Sequence, residues 1–159
     1  ELQLTKDQIG WCMIGSVAVT VIARLIMGWV CDRYGPRLAY TWLLLLASLP
    51  LFGIAWANNF ESFLFFRVLI GGIGASFVIT QFHMSVMFAP NCIGTANATT
   101  AGWGNLGGGV TQMVMPLVFA LFATGLGLTS SMSWRLAMSL NGVLCLGMAW
   151  IYYRYTQDT

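Results

Sequence analysis

Residues 101–112 read AGWGNLGGGVTQ, and within them Gly102-Trp103-Gly104-Asn105-Leu106-Gly107 spells G-x-G-x-x-G. In a soluble α/β domain that spelling marks a turn wrapped around a dinucleotide pyrophosphate. It needs a strand before it and an acidic residue about 20 positions after it. Neither condition is met. The segment lies inside an apolar stretch, and no carboxylate occurs between Glu61 and Asp158. Glycines three and four apart on an apolar helix serve another purpose: they open a flat face on which a second helix can lie close. Thr100, Gly104 and Gly108 form one such stripe, and Ala101, Asn105, Gly109 and Gln112 form the adjacent one. The second stripe places two amides at membrane depth. An interhelical hydrogen bond would account for Gln112. At Asn105, between Gly104 and Gly107, a ligand could approach backbone and side chain together.

The surrounding composition agrees. Of 159 residues, 58% are hydrophobic and only 8% charged, against roughly 25% charged in soluble domains. No charged residue lies between Arg67 and Arg135. A soluble fold cannot solvate such a run, so the chain reads as a membrane protein whose solvent is the lipid bilayer. The net charge of +2, with no Lys/Arg-rich run, argues against nucleic acid as a partner. Cys12, Cys31, Cys92 and Cys145 are scattered without a C-x-x-C, and there is one histidine. Zinc, an iron–sulfur cluster and a bis-histidine haem are therefore not expected, no metal or cofactor is assigned, and the cysteines read as small apolar packing residues. The N-terminus has neither a starting Met nor a basic n-region, so no signal peptide is read.

Five apolar stretches can be drawn, at about 8–31, 38–57, 60–88, 93–123 and 134–155. Twenty helical residues rise about 30 Å, the thickness of a bilayer core. Thr5 and Gln8 fit a capping box for the first stretch, and Asn59 fits the N-cap of the third. CDRYGPR (31–37), with its charges, Gly35 and Pro36, is expected to stop the first helix. Short connectors make neighbours antiparallel. The fold class expected is all-α, a polytopic bundle of five transmembrane helices with its two ends on opposite sides. Arg33, Arg37 and Arg154 mark one side as cytoplasmic, against Lys6 and Arg135 on the other. Trp134, Tyr152, Tyr153 and Tyr155 suit interfacial anchors.

Arg24, Arg67 and His83 lie inside these spans rather than in their outermost turns. Arg24 lies about two-thirds of the way along the first, and a central Arg costs about 2.5–3.5 kcal/mol on insertion scales. Asp32, eight residues on, is about 12 Å away along the axis and cannot neutralise it. Arg24 either snorkels towards the headgroups or faces a wet central cavity and holds an anion. Its planar fork of donors matches a small planar oxyanion in a way that Lys does not. Arg67 is shallower, and a structural role beside a backbone carbonyl or an interface competes with a role in coupling. His83 is about 160° round the helix from Arg67 and reads as a packing or interfacial histidine, with protonation during transport as the alternative.

Three motifs then converge. GWVCDRYGPR (28–37) resembles the G-x-x-x-D-R-x-G-R-R loop of the major facilitator superfamily, with Pro36 in place of the first of the final basic pair. RVLIGGIGAS (67–76) resembles that superfamily's fourth-helix motif, and AGWGNLGGGVTQ resembles the nitrate signature of its nitrate/nitrite porter family. The flavour is closer to plant, algal and cyanobacterial members than to bacterial exchangers. The resemblance implies that these spans are helices two to six of twelve. Helix one and the second six-helix half, with a second binding Arg, would then belong to the missing remainder of the same chain. It implies that Arg24 binds nitrate, that Phe77 packs against the anion, and that Asn105 is the signature Asn. Gly102 and Gly104 would admit the substrate, and Gly107, Gly108 and Gly109 would pack helices, with Gly107 and Gly108 also among the close-approach glycines. It also implies a transporter rather than an enzyme, in a plasma or bacterial inner membrane, serving nitrate assimilation. Nitrate and nitrite would be carried by symport with protons, with a small single-span accessory protein as a further partner.

The loop motif has a physical role of its own. Arg24, Gly28 and Asp32 fall on one helical stripe. Gly28 would let a helix approach, and Asp32 would accept hydrogen bonds from a helix terminus or an Arg, so that Gly28, Asp32, Arg33 and Arg37 latch the outward-facing state. A solvated turn is the alternative for Arg33 and Arg37. A major facilitator carrying another small anion or a larger organic one, and a non-transporting membrane assembly subunit, stand as rival functions. An oxidoreductase lacks ligands and acids.

Overall fold

The computed structural model describes residues 5–157, and their regular structure is entirely helical. Asp158 and the outermost ends of the expected 1–159 domain lie outside the described residues. The elements are α1 (Lys6–Tyr34), α2 (Pro36–Ile54), α3 (Phe60–Gly71), α4 (Ser76–Met87), α5 (Ile93–Ala120) and α6 (Ser130–Tyr155). A 3-10 turn, Gly72–Ala75, joins α3 to α4, and a π-helical turn, Leu121–Gly125, extends α5. Counting α3 with α4, five helical spans are long and apolar enough to cross a membrane.

Local chemistry explains most of the boundaries. The capping box at the start of α1 is formed, with the Thr5 N–H donating to Gln8 Oε1 (3.0 Å) and the Gln8 N–H to Thr5 Oγ1 (3.4 Å). The helix does not stop at Cys31. It runs through Asp32 and Arg33 to Tyr34, because exposed charges in a last turn do not break a helix and Arg33 complements its dipole. The stop is Gly35, whose φ of 84° suits a residue without a Cβ. Pro36 then takes the first position of α2, where a missing N–H costs nothing. Helix α2 ends at Ile54 rather than at Ala57, and residues 55–57 form tight turns back onto Phe52, Gly53 and Ile54. Helix α6 opens at Ser130, four residues ahead of Trp134, with Thr129 in the extended N-cap conformation.

The packing is uneven. Helices α2 and α6 share the broadest contact, with Thr41 and Phe52 on one side and Gly142 and Ala149 on the other, while Ala39 of α2 is buried on the opposite face with Cys31 of α1 and Ile79 of α4. A Cβ at Gly142 would come within 2.9 Å of the Phe52 ring, so the missing side chain is what seats that ring. Helix α1 packs chiefly on α3 and the 3-10 turn, while among the described residues α5 touches only α4, α6 and its own π turn. Large apolar side chains such as Trp11, Leu25, Trp42, Leu49, Trp56, Leu117 and Trp150 are exposed. In water that surface would aggregate, and in a bilayer it is the solvated one. The chain is an integral membrane protein.

Candidate functional site

Ser16, Thr20 and Arg24 follow one another at four-residue spacing along one stripe of α1. That stripe is hydrogen-bonded to the third span, residue by residue. Ser16 Oγ donates to the Arg67 carbonyl (3.0 Å). Thr20 Oγ1 lies within donating distance of the Gly71 carbonyl (2.6 Å) and of the Ser16 carbonyl one turn back (2.8 Å). Arg24 Nε donates to the Gly74 carbonyl (3.4 Å). Both partners ascend together, so α1 and the third span run parallel. Glycine makes the approach feasible: a Cβ at Gly71 would overlap the Ser16 carbonyl oxygen, and one at Gly74 would lie 2.5 Å from Thr20 Cγ2.

Arg24 is therefore not stretched towards the headgroups. Its Nε turns to a carbonyl near the middle of the Phe60–Met87 span, and its Cζ stands 5.7 Å from the centre of the Phe77 ring. The residue is exposed, and Phe77 beside it is exposed as well. With Nε engaged, Nη1 and Nη2 have no partner among the described residues and point an end-on fork away from the carbonyl. Two coplanar N–H groups of that kind pair with two oxygens of a planar anion. By contrast, a groove of about 410 Å³ between α2 and α6 is lined by Leu38, Trp42, Leu146 and Trp150. That lining suits acyl chains.

The fifth helix is placed differently. Helix α4 touches both α1 and α5, whereas α1 and α5 do not touch each other, so Arg24 and Phe77 are brought together but Asn105 is not added to them. Near its start α5 is tied to α4, where Gln81 Nε2 donates to the Asn97 carbonyl (3.3 Å) and Asn97 Nδ2 to Ser85 Oγ (3.4 Å). Further along, Asn141 Nδ2 of α6 lies 3.6 Å from Met115 Sδ. Residues 102–114, Asn105 and Gln112 included, are exposed. A Cβ on Gly102, Gly104, Gly107, Gly108 or Gly109 would meet nothing within 4 Å among the described residues. No helix of this segment fills the packing role expected of Gly107, Gly108 and Gly109. Among the described residues, neither Asn105 nor Gln112 makes an interhelical hydrogen bond.

Of the expected latch residues, Arg37 alone bridges helices among the described residues. Its Nε (3.0 Å) and Nη2 (2.6 Å) both donate to the Tyr153 carbonyl, and its Cζ lies 4.6 Å over the Tyr153 ring. That is a clasp between α2 and the end of α6, not a solvated turn. Arg33 stacks over Trp29 and Tyr34 of its own helix, Asp32 is exposed, and a Cβ at Gly28 would meet nothing within 4 Å. Arg67 offers its carbonyl to Ser16, while its guanidinium makes no hydrogen bond or ion pair among the described residues. His83 is buried, its Nδ1 sharing a hydrogen bond with the Tyr152 hydroxyl, and Tyr40 packs edge-on against Tyr152 at 4.5 Å. It is a packing histidine at the clasped end. Cys12 and Cys31 are buried as expected of packing cysteines, but Cys92 is exposed.

Reading from the sequence missed Ser16, Thr20 and the Gly74 carbonyl. The signal was available. The stripe read downward from Arg24 to Gly28 and Asp32 continues upward, at the same spacing, to two small hydroxyl residues.

Comparison with known proteins points one way. The sequence pattern of the Major Facilitator Superfamily matches residues 1–159. The chain is 41% identical over 158 residues to high affinity nitrate transporter 2.5 of Arabidopsis thaliana, covering 99% of this chain and 31% of that protein. It is 40% identical over 157 residues to high-affinity nitrate transporter 2.3 of Oryza sativa subsp. japonica, covering 99% of this chain and 30% of the relative. It is 35% identical over 159 residues to nitrate/nitrite transporter NrtP of Nostoc punctiforme, covering 100% and 31% respectively. The chain thus spans about a third of the length of these relatives. No solved structure matches it.

Proposed function

The chain belongs to the major facilitator superfamily, and from that premise we propose that it forms part of a secondary active transporter of nitrate, with nitrite as a second substrate. The membrane would be a plasma membrane or a bacterial inner membrane. The observation that carries this reading is the mid-span guanidinium of Arg24, turned back onto the Gly74 carbonyl and the Phe77 ring with both Nη groups left to bind. Nitrate is flat, monovalent and bears acceptors in its own plane, so two in-plane donors and one positive charge suit it. Phe77 would wall the site. Asn105, Gly102 and Gly104 on α5 would complete it across α4, with the substrate near the midplane between two halves that rock around it.

An anion entering a negatively charged interior needs a second driving force, since each 100 mV opposes a unit charge by about 2.3 kcal/mol. Symport with protons supplies it. Arginine is not the proton carrier, because it stays protonated. A small single-span accessory protein is the further partner in this reading. Asp32, Gly28 and Arg33 would act with the Arg37 clasp to favour one orientation of the bundle, and Arg67 would serve through its carbonyl on Ser16.

The test is Arg24→Lys in the full-length reading frame. Lys keeps the charge but not the planar fork, so uptake of labelled nitrate at low concentration is expected to vanish while the protein still reaches the membrane. Undiminished low-concentration uptake would overturn the reading.

A further inference from the structure

We propose that Thr20 is the positioning residue for the anion-binding guanidinium, holding the glycine-rich 3-10 turn whose Gly74 carbonyl aims Arg24. The inference rests on the reading of Arg24 given above. Arg24 has a long, flexible side chain, and its one polar tether, at 3.4 Å, is a long hydrogen bond. Where the guanidinium stands therefore depends on where that carbonyl stands. The carbonyl belongs to a segment soft by composition: Gly71, Gly72 and Gly74 occur within four residues, and the helix there is 3-10, with poorer internal hydrogen bonds than α. Something outside the turn must fix it.

Thr20 touches the turn at two points. Its hydroxyl reaches the Gly71 carbonyl at the start of the turn, at 2.6 Å. Its Cγ2 lies so near Gly74 that a Cβ there would be 2.5 Å away. Thr20 sits one helical turn before Arg24 on the same stripe, so the side chain that sets the carbonyl and the side chain that uses it share one rigid helix. Serine would keep the hydroxyl and lose the methyl. Valine would keep the shape and lose the hydrogen bond.

The experiment is a concentration series of labelled nitrate uptake with the full-length chain, read as KM and maximal rate against the amount of protein in the membrane. Thr20→Val should raise KM about tenfold with maximal rate per molecule retained, the loss expected for one hydrogen bond near a charged group. Thr20→Ser should hold KM within about threefold of the parent. Gly74→Ala should raise KM as Thr20→Val does, and Thr20→Ser in the same chain should restore most of it, because the Cγ2 nearest the new Cβ, at 2.5 Å, is then gone and only the Oγ1 contact at 3.1 Å remains. A merely structural Thr20 would lower the amount of protein and leave KM unmoved. If Arg24→Lys abolishes uptake while Thr20→Val leaves KM unchanged, the positioning role falls and the anion site stands. If Arg24→Lys transports normally, the site itself falls. Should Thr20→Val fail to reach the membrane, the Gly74→Ala/Thr20→Ser pair decides, and absence of rescue overturns the proposal.

Discussion

Gly71 and Gly74 lie so close to α1 that a methyl group on either would strike Ser16 or Thr20, whereas a methyl group on Gly102, Gly104, Gly107, Gly108 or Gly109 of α5 would meet nothing within 4 Å among the described residues. As text the two stretches are alike: small residues three and four apart on an apolar helix. What separates them is the opposite surface. In hydrocarbon, apolar contact between helices gains nothing over contact with lipid, so fit and hydrogen bonds decide association. The 71–74 stretch faces a helix carrying Ser16 and Thr20, whose hydroxyls reach its carbonyls. The 102–109 stretch faces no such donors in this segment. Glycine permits approach, and the partner's hydroxyls bring it about.

Graded glycine substitutions test that contrast. The largest effect is expected at Gly71→Ala, where the new Cβ meets Ser16 backbone with no rotamer able to yield. A loss of about 3 kcal/mol should appear as a clear fall in the thermal midpoint of the detergent-solubilised full-length protein. Gly142→Ala is intermediate, because the obstacle is the Phe52 ring, which can turn aside. About 1 kcal/mol is expected there, read by the same melt. Gly107→Ala should shift the midpoint by no more than about 0.5 kcal/mol, in either direction. Were Gly107→Ala as costly as Gly71→Ala, a helix beyond the described residues would cover that face, and the two stretches would be alike after all.

The fold class was legible because composition alone forbids a soluble core: the uncharged run from Val68 to Trp134 leaves the bilayer as the only suitable solvent. The cap at Thr5 and Gln8 was legible because both halves of its hydrogen-bond pair are local. The stop of α1 within CDRYGPR was legible from Gly35 and Pro36, but its last turn, through Asp32 to Tyr34, was not, because exposed charges do not end a helix. The 3-10 interruption at Gly72–Ala75 was not legible. No proline announces it, and its neighbours are residues some 50 positions earlier, so the information lies in the tertiary contact. Arg24 could be placed at depth by counting residues, but its direction depends on a carbonyl that counting does not locate. The glycine face of α5 could be recognised, but not whether anything rests on it.

A joint of one residue leaves no slack. Gly35 alone separates the last turn of α1 from Pro36, and Arg37, two positions further, grips the Tyr153 carbonyl at the far end of α6. A tilt of α1 would be felt at the head of α2 and, through that grip, at the tail of α6. The three helices form one lever, with Arg24 on its long arm.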